Sequence, residues 1–520
     1  MTPENTPGGG ELRLYDRIAA HALLAPHADA AIGPGRSLTY AGLLAEIDAC
    51  AATLIAGGVR VGDRIATLAP PGLDFLVTFL ASASVGAVWT GLNPRYTDPE
   101  LDRIVARIEP TLVFAANAVE GRDYGPWMSA LPGSIRVVKL DGAPLARTES
   151  FAEFVATGRG LSPEVFRARL AAVDGHEPCL MVFTSGSTGE AKGVMISQAA
   201  LVGTSLVQLR EWDVQPLRVL NNLPINHIGC VGDLTSYALL GGGALIFQPR
   251  FAPHMIADVI AAHRVTVWGQ VPTMFQMTLD SPDFDPTKLH SLKLIFWGGA
   301  HAPAGLVARL RPLAPCLATS WGQTETVGSV TFATAGAGRS DSLDTVGRPV
   351  APYEVRIIDA KGEAGQTAGE IEVRSPFAAS GFWRDPAATA AAVSSVGWRR
   401  TGDIGAFTER GELRLIGRVH DVFKSGGYNV YPKEIEDVLT AMEPVIEAAV
   451  IGVPDALYGA VAFAYVRLSA GAEEEALRAQ ARERLANYKV PRRIVFLDEL
   501  PRLPIGKIDK QALQALAAAS

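Results

Sequence analysis

The stretch Thr184-Ser185-Gly186-Ser187-Thr188-Gly189-Glu190-Ala191-Lys192-Gly193 carries the densest chemical signal in the chain. Its glycines let the backbone turn tightly and aim N–H groups at an anion. Its hydroxyls add donors, and Lys192 adds a positive charge. An apolar run, Leu180-Met181-Val182-Phe183, precedes it and reads as a buried strand. By composition this is a polyphosphate cradle. It is not a Walker A loop, which sets Gly directly before the Lys and Ser or Thr directly after it. Here Ala191 precedes Lys192 and Gly193 follows it.

The loop resembles the phosphate loop of the adenylate-forming superfamily, which includes acyl-CoA synthetases, peptide-synthetase adenylation domains and luciferases. Other motifs follow in that superfamily's order over nearly the whole chain, and their order carries more weight than any one of them. Ser320-Trp321-Gly322-Gln323-Thr324-Glu325 resembles its aromatic-Gly-x-Thr-Glu motif. The resemblance implies an aromatic face for adenine at Trp321, where the family usually has Tyr. It also implies a hydroxyl for a phosphate oxygen at Thr324 and a hard oxygen ligand for magnesium at Glu325. Thr184 is the second implied magnesium ligand. Gly298-Gly299-Ala300 resembles the turn laid against adenine and the acyl group. Trp398-Arg399-Arg400-Thr401-Gly402-Asp403 resembles the Thr-Gly-Asp motif, whose carboxylate, here Asp403, accepts both hydrogen bonds of a ribose diol.

Ile416-Gly417-Arg418-Val419-His420-Asp421 resembles the interdomain hinge, with His420 at a pivot usually held by Asp or Lys. Arg418 matches the family's Arg near the ribose and α-phosphate. Lys424-Ser425-Gly426-Gly427-Tyr428-Asn429-Val430 resembles the loop lining the pantetheine tunnel, which assigns Gly426, Gly427 and Tyr428 to coenzyme A. The segment Pro501 to Lys510 resembles the C-terminal catalytic-lysine motif, with Lys507 as the lysine. The implied catalytic set is Lys507, Glu325 and Thr184. The implied nucleotide contacts are Thr184 to Gly189 (Ser185, Gly186, Ser187 and Thr188 between them), Lys192, Gly299, Ala300, Trp321, Gly322, Gln323, Thr324, Asp403 and Arg418. Two departures stand out: Ala191 replaces a frequent Pro, and Gln198 replaces a frequent His.

The chemistry implied is adenylation of a carboxylic acid by ATP, with magnesium, followed by transfer of the acyl group to a thiol. The carboxylate is itself the nucleophile, so no general base is required. Charge neutralisation and in-line positioning suffice. Coenzyme A is the expected thiol. The alternatives are an acyl-AMP ligase loading a carrier protein, or another adenylate-using activity on the same scaffold. Gly203-Thr204-Ser205-Leu206 spells a pantetheine-attachment string but falls inside the large domain and reads as chance. Lys489, Arg492 and Arg493 read as a solvated basic patch before a site for CoA phosphates. For the acid, Leu223 to Gly229 resembles the pocket-and-tunnel segment, with His227 where amino-acid-activating relatives carry Asp; Asp233 lies nearby. With Gly298, Val327 and Gly328 this segment is expected to hold the acyl group. Val271 to Phe275 and Thr326 to Gly328 carry no Lys or Arg, which favours a monocarboxylic acid with an aryl or medium-length aliphatic tail.

The elements that must position these residues follow from texture. Short apolar runs alternate with helix-like stretches up to about Pro349: Asp63 to Leu68, Thr111 to Ala115, Ala244 to Phe247, Val265 to Trp268 and Leu292 to Trp297 as strands, Leu73 to Ala83 as a helix. This predicts an α/β protein with a large N-terminal domain of parallel-rich sheets and helices. After Pro349, Val355 to Asp359, Glu370 to Val373 and Glu412 to Ile416 predict a small antiparallel β unit. A small mobile α+β C-terminal domain follows, with helices at Glu434 to Met442 and Glu473 to Leu485. The expected boundary divides residues 1–419 from 420–520. A chain of 520 residues exceeds one core, which stops growing at roughly 250–300 residues. The net charge of −7 supplies no general field for nucleic acid. Cys50, Cys179, Cys230 and Cys316 are scattered and read as reduced thiols. No signal-peptide or membrane-helix pattern is present, so a cytoplasmic location is the expectation; assembly as a homodimer stays open.

Overall fold

A strand covered on both faces has no polar side to alternate with, so it reads as a continuous apolar run. Leu112–Ala115 and Ala244–Phe247 are such runs, buried at every residue. The computed structural model describes residues 12–185, 191–336, 338–359, 362–365, 368–503 and 508–518. In it these runs join two large sheets. The first passes through Arg339–Ser340, Gly328–Gly336, Cys316–Gln323, Leu294–Trp297, Val267–Gln270, Arg218–Asn221, Ala244–Phe247, Asp29–Gly33 and Arg36–Thr39. Its centre, from Cys316–Gln323 to Asp29–Gly33, is parallel, and its edges are antiparallel. The second passes through Gly381–Phe382, Ala191–Ser197, Pro178–Ser185, Val88–Leu92, Arg64–Leu68, Leu112–Ala115, Arg136–Lys139 and Glu149–Ser150. It is parallel from Pro178–Ser185 onward.

The helix Leu73–Ser84 is buried at every residue but Asp74, as its largely apolar sequence requires. It lies between the sheets. Phe75 approaches Trp89 of the second sheet at 5.5 Å and Phe247 of the first at 6.2 Å, ring centre to ring centre. Each fully buried Phe of this kind contributes roughly 1.5–3 kcal/mol. Gln198, in the family's frequent His position, is buried here and bridges two helices. Its side-chain oxygen accepts from the Leu14 N–H at 3.1 Å, and its amide nitrogen donates to the Ala83 carbonyl at 3.1 Å. At this position an amide supplies both a donor and an acceptor, whatever the pH.

The expected small β unit is an antiparallel sheet containing Glu354–Ile358, Gly369–Arg374, Arg399–Phe407 and Leu413–Arg418. Ile357, Ile371 and Leu413 join the core of the large unit. Beyond residue 420 the chain builds a separate core. Ile435 and Leu439 of helix Pro432–Thr440, with Leu477 and Ala481 of helix Glu474–Arg484, pack on Val450 and Ala464 of the hairpin Val445–Asp455 and Gly459–Leu468. Small shifts separate expectation from structure: the strand read at Val265 to Trp268 is Val267–Gln270, and the helix read from Glu434 starts at Pro432. Proline's fixed φ suits a first helical turn. Three of the cysteines are buried and Cys316 is half-buried, all four free. Among the described residues no helix is long and apolar enough to cross a membrane.

Candidate active site

In open α/β sheets, ligands bind beyond the carboxyl ends of parallel strands. The sequence motifs collect there. Gly298 follows Leu294–Trp297, the Trp321 motif closes Cys316–Gln323, the His227 segment follows Arg218–Asn221, and Thr184 stands near the end of Pro178–Ser185. Trp297 pairs with Thr319 across two parallel strands, which sets Gly298 beside Ser320. A Cβ placed on Gly298 would lie 3.7 Å from both Ser320 oxygens.

The Trp321 motif is held in a tight turn. Thr324–Thr326 form a short 3-10 turn, and the Thr326 hydroxyl donates to the carbonyls of Gln323 (3.0 Å) and Gly328 (2.8 Å). Val327 then takes φ +61° and Gly328 φ +102°. A β-branched residue with positive φ is strained, and such strain gathers at functional sites. Gly322 is obligatory: a Cβ there would sit 1.9 Å from the Gly328 carbonyl oxygen.

Three motifs that are distant in sequence meet at Asp403. Its Oδ2 accepts from Trp321 Nε1 at 2.9 Å and from Gln323 Nε2 at 2.8 Å. Its Oδ1 pairs with Arg418 Nε at 3.0 Å. Gln323 Nε2 also donates to the Thr401 carbonyl at 2.8 Å. Asp403 is buried, whereas the Arg418 side chain is 58% exposed. Nearby, Glu325 is half-buried, and its carboxylate accepts no hydrogen bond among the described residues. The buried Arg399 feels its charge. Burial lowers the Arg399 pKa and Glu325 opposes that shift. Ala379 links the two residues, donating to the Glu325 carbonyl at 3.0 Å and accepting from Arg399 at 2.9 Å.

Lys192 faces Thr184 across the hairpin, its amine 5.4 Å from the Phe382 ring centre. Ser185 ends the strand, and Gly186, Ser187, Thr188, Gly189 and Lys507 lie outside the described residues. Gly299 has φ +76°, and it and Ala300 are exposed. His227 Nδ1 accepts from the Gly229 N–H at 3.0 Å, which puts the proton of a neutral ring on Nε2. His420 sits in an exposed turn after Leu413–Arg418. In that turn the Val419 N–H donates to the Gly402 carbonyl. Gly426 and Gly427 have φ +57° and +88°. A Cβ on Gly427 would meet nothing within 4 Å. Tyr428 is exposed and stacks on Tyr488 with ring centres 4.7 Å apart. Lys489 is not a free basic group: it donates to both oxygens of Glu434 at 2.7 Å. Ser205 is buried within helix Gln198–Glu211, which removes it as an attachment point.

Among the described residues no cluster of three or more His, Cys, Asp or Glu could hold a metal unaided. Magnesium is usually bound by one or two carboxylates together with substrate phosphates. The uncommitted Glu325 carboxylate and the Thr184 hydroxyl fit that partial ligand set.

Sequence reasoning passed over Arg399, quoted only as part of a motif, and Tyr353, which no motif contains. Two consecutive arginines before Thr401 were the available signal for the first.

A fold with glycine-bearing turns at the carboxyl ends of its strands and a separate C-terminal core defines a class, and comparison with known proteins agrees. The model of the AMP-binding enzyme family matches residues 18–383, and that of the AMP-binding enzyme C-terminal domain matches residues 434–507. The chain belongs to the AMP-binding enzyme family. It is 36% identical over 503 residues (94% of this chain, 96% of the relative) to the 3-[(3aS,4S,7aS)-7a-methyl-1,5-dioxo-octahydro-1H-inden-4-yl]propanoyl:CoA ligase of Mycobacterium tuberculosis. It is 32% identical to the indoleacetate–CoA ligase of Aromatoleum aromaticum, with 98% of each chain covered. The structure of ATP-bound MatB from Rhodopseudomonas palustris superposes with a TM-score of 0.83 at 29% identity, covering 97% of this chain and 98% of that one. The protein is an AMP-forming acid–thiol ligase that adenylates a carboxylic acid and transfers the acyl group to CoA.

Proposed function

We propose that this ligase activates a ring-bearing monocarboxylic acid, and that the motif residues divide its two half-reactions between them. The observation that carries the site assignment is the convergence of Trp321, Gln323 and Arg418 on Asp403. A carboxylate has about four lone-pair sites. Three are used here, so a ribose diol takes the remaining site on Oδ1 together with the one Arg418 vacates when it turns toward phosphate. Thr184, Lys192 and Thr324 face the phosphates, with the loop Ser185, Gly186, Ser187, Thr188 and Gly189 completing the cradle. Thr184 and Glu325 would hold magnesium, which when bound neutralises phosphate charge. Gly299 and Ala300 lie along adenine, while His227, Gly298, Val327 and Gly328 border the acyl group. Lys507 steadies the charge that develops as the carboxylate attacks the α-phosphate. Gly426, Gly427 and Tyr428 then line the path of the CoA thiol, with His420 in the hinge.

One observation supports the single carboxylate and another the ring. The flanking residues Thr326, Val327 and Gly328 carry no cation to pair a second carboxylate. The relatives named above act on ring systems bearing short carboxyl arms. The test is AMP formation with CoA over paired acids of equal carbon number, cyclic and linear. The proposal expects kcat/KM at least tenfold higher for the ring acids. A linear preference would reject the ring while leaving the ligase intact.

A further inference from the structure

Asp233 stands in the irregular helical segment Gly229–Ser236, whose hydrogen bonds follow the wider π pattern that often marks functional sites. Its carboxyl sits against the strained Val327–Gly328 turn: Oδ1 is 2.6 Å from where a Gly328 Cβ would be. The missing side chain at Gly328 is what admits it. Among the described residues no donor or cation reaches this carboxyl; Gln208 donates only to the Asp233 backbone carbonyl, at 2.9 Å. The group is deeply enclosed, and burial alone pushes its pKa up to about 7. Yet the residue as a whole keeps some solvent exposure. Tyr353 packs on the same helix, Gln198–Glu211, that reaches Asp233 through Gln208. Its ring meets that of Phe377, centre to centre at 6.2 Å, and the Phe377 ring lies against Gly203 of the helix. The Tyr353 hydroxyl is buried with no partner among the described residues. Burial raises its pKa, the field of Asp233 raises it further, and Arg210 works against both.

Buried polar groups of this kind ordinarily find partners, and an unmet pair calls for an explanation. Among the described residues Asp233 lacks a donor and Tyr353 lacks an acceptor. An alcohol or phenol hydroxyl supplies one of each. An ammonium would offer no acceptor to Tyr353, and a ketone no donor to Asp233. We propose that Asp233 and Tyr353 bind a hydroxyl group carried by the acid on the end remote from its reacting carboxylate. This rests on the reading of Val327 and Gly328 as the border of the acyl pocket.

The test uses the full-length protein and non-hydrolysable acyl-sulfamoyl adenosines built from benzoyl, phenylacetyl and 3-phenylpropanoyl groups, each with and without a 4-hydroxyl. At one linker length or more, the hydroxyl should tighten binding roughly tenfold or better, the usual worth of a hydrogen bond to a charged group. The preference should grow from pH 6 to pH 8 as Asp233 ionises, fall in Tyr353→Phe and vanish in Asp233→Leu. Equal binding of every pair, or a preference that survives Asp233→Leu, would overturn the proposal. So would tighter binding of 4-acetyl analogues than of hydroxyl ones. If no analogue of either kind bound, the acyl-pocket reading itself would fall, and this proposal with it. The comparison in the unmodified protein decides the matter even where a variant fails to fold.

Discussion

At the scale of single residues, the site is built from carboxylates in contrasting surroundings. Asp403 accepts from three donors; among the described residues Glu325 accepts no hydrogen bond but lies near a buried Arg399, and the Asp233 carboxyl has no partner. Each contrast gives a testable outcome. Replacing Glu325 with Gln removes a hard ligand, since an amide oxygen is a poorer partner for magnesium than a carboxylate. A magnesium titration of pyrophosphate release should shift at least tenfold to higher concentration in Glu325→Gln, and an unshifted curve would remove Glu325 from the metal site. Asp233 tests the cost of an unpaired carboxyl. Its folded pKa is raised from 3.8 to about 7, so the native state holds the proton more tightly than the unfolded chain. Native stability is therefore lost as pH rises from about 4 to about 7, and the loss is complete above that. The upper bound of the penalty is about 4 kcal/mol, from about 1.36 kcal/mol per pKa unit. Asp233→Asn should consequently gain in melting temperature over the parent as pH goes from 4 to 8. A difference that does not change with pH would show that Asp233 has a partner. Much of this scale was not legible in the sequence. Trp321 and Asp403 were each found by motif, but the hydrogen bond that joins them spans 82 positions. Nothing near Asp233 in the sequence announces that Gly328 leaves room for it.

At the scale of elements, periodicity and turn chemistry did most of the prediction. The runs at Leu112–Ala115 and Ala244–Phe247 became parallel strands because both of their faces are covered. The misplaced edges also have causes: Val265 and Thr266 are as apolar or as β-prone as the strand they lead into, so texture cannot mark its start. The segment Gly229–Ser236 was illegible because its hydrogen-bond register follows from packing and has no period of its own. The Gly426-Gly427 turn is an element whose function is open to a steric test. Both residues have positive φ, and a Cβ on Gly427 would meet nothing. Asn tolerates positive φ better than other non-glycine residues. Gly427→Asn should therefore keep a melt within a few degrees of the parent. Exchange of labelled pyrophosphate into ATP should continue, while CoA consumption drops tenfold or more. Normal CoA turnover with a normal melt would take Gly427 out of the thiol path.

At the scale of the whole molecule, the N-terminal unit and a C-terminal unit with its own core meet across the turn at residues 419–421, where Val419 and His420 are exposed. The C-terminal unit is tied together near that turn by Lys510, which bonds Asp421 and Glu436 at 3.0 Å each. Burial disfavours the Lys510 charge, but Glu436 and Asp421 together outweigh it and hold its pKa above the ordinary lysine range. Lys433 and Asp437 of helix Pro432–Thr440 act electrostatically on His301, the neighbour of Ala300. The C-terminal unit thus approaches the mouth of the candidate site while keeping a core of its own. That is the construction expected if one small domain presents Lys507 for adenylation and the Gly427 turn for thiol attack. The most direct measurement separates the two half-reactions in Lys507→Ala. The account predicts that acid-dependent exchange of pyrophosphate into ATP falls by two orders of magnitude or more, while acyl transfer from supplied acyl-AMP to CoA stays within a few fold of the parent. Equal loss of both half-reactions would contradict it.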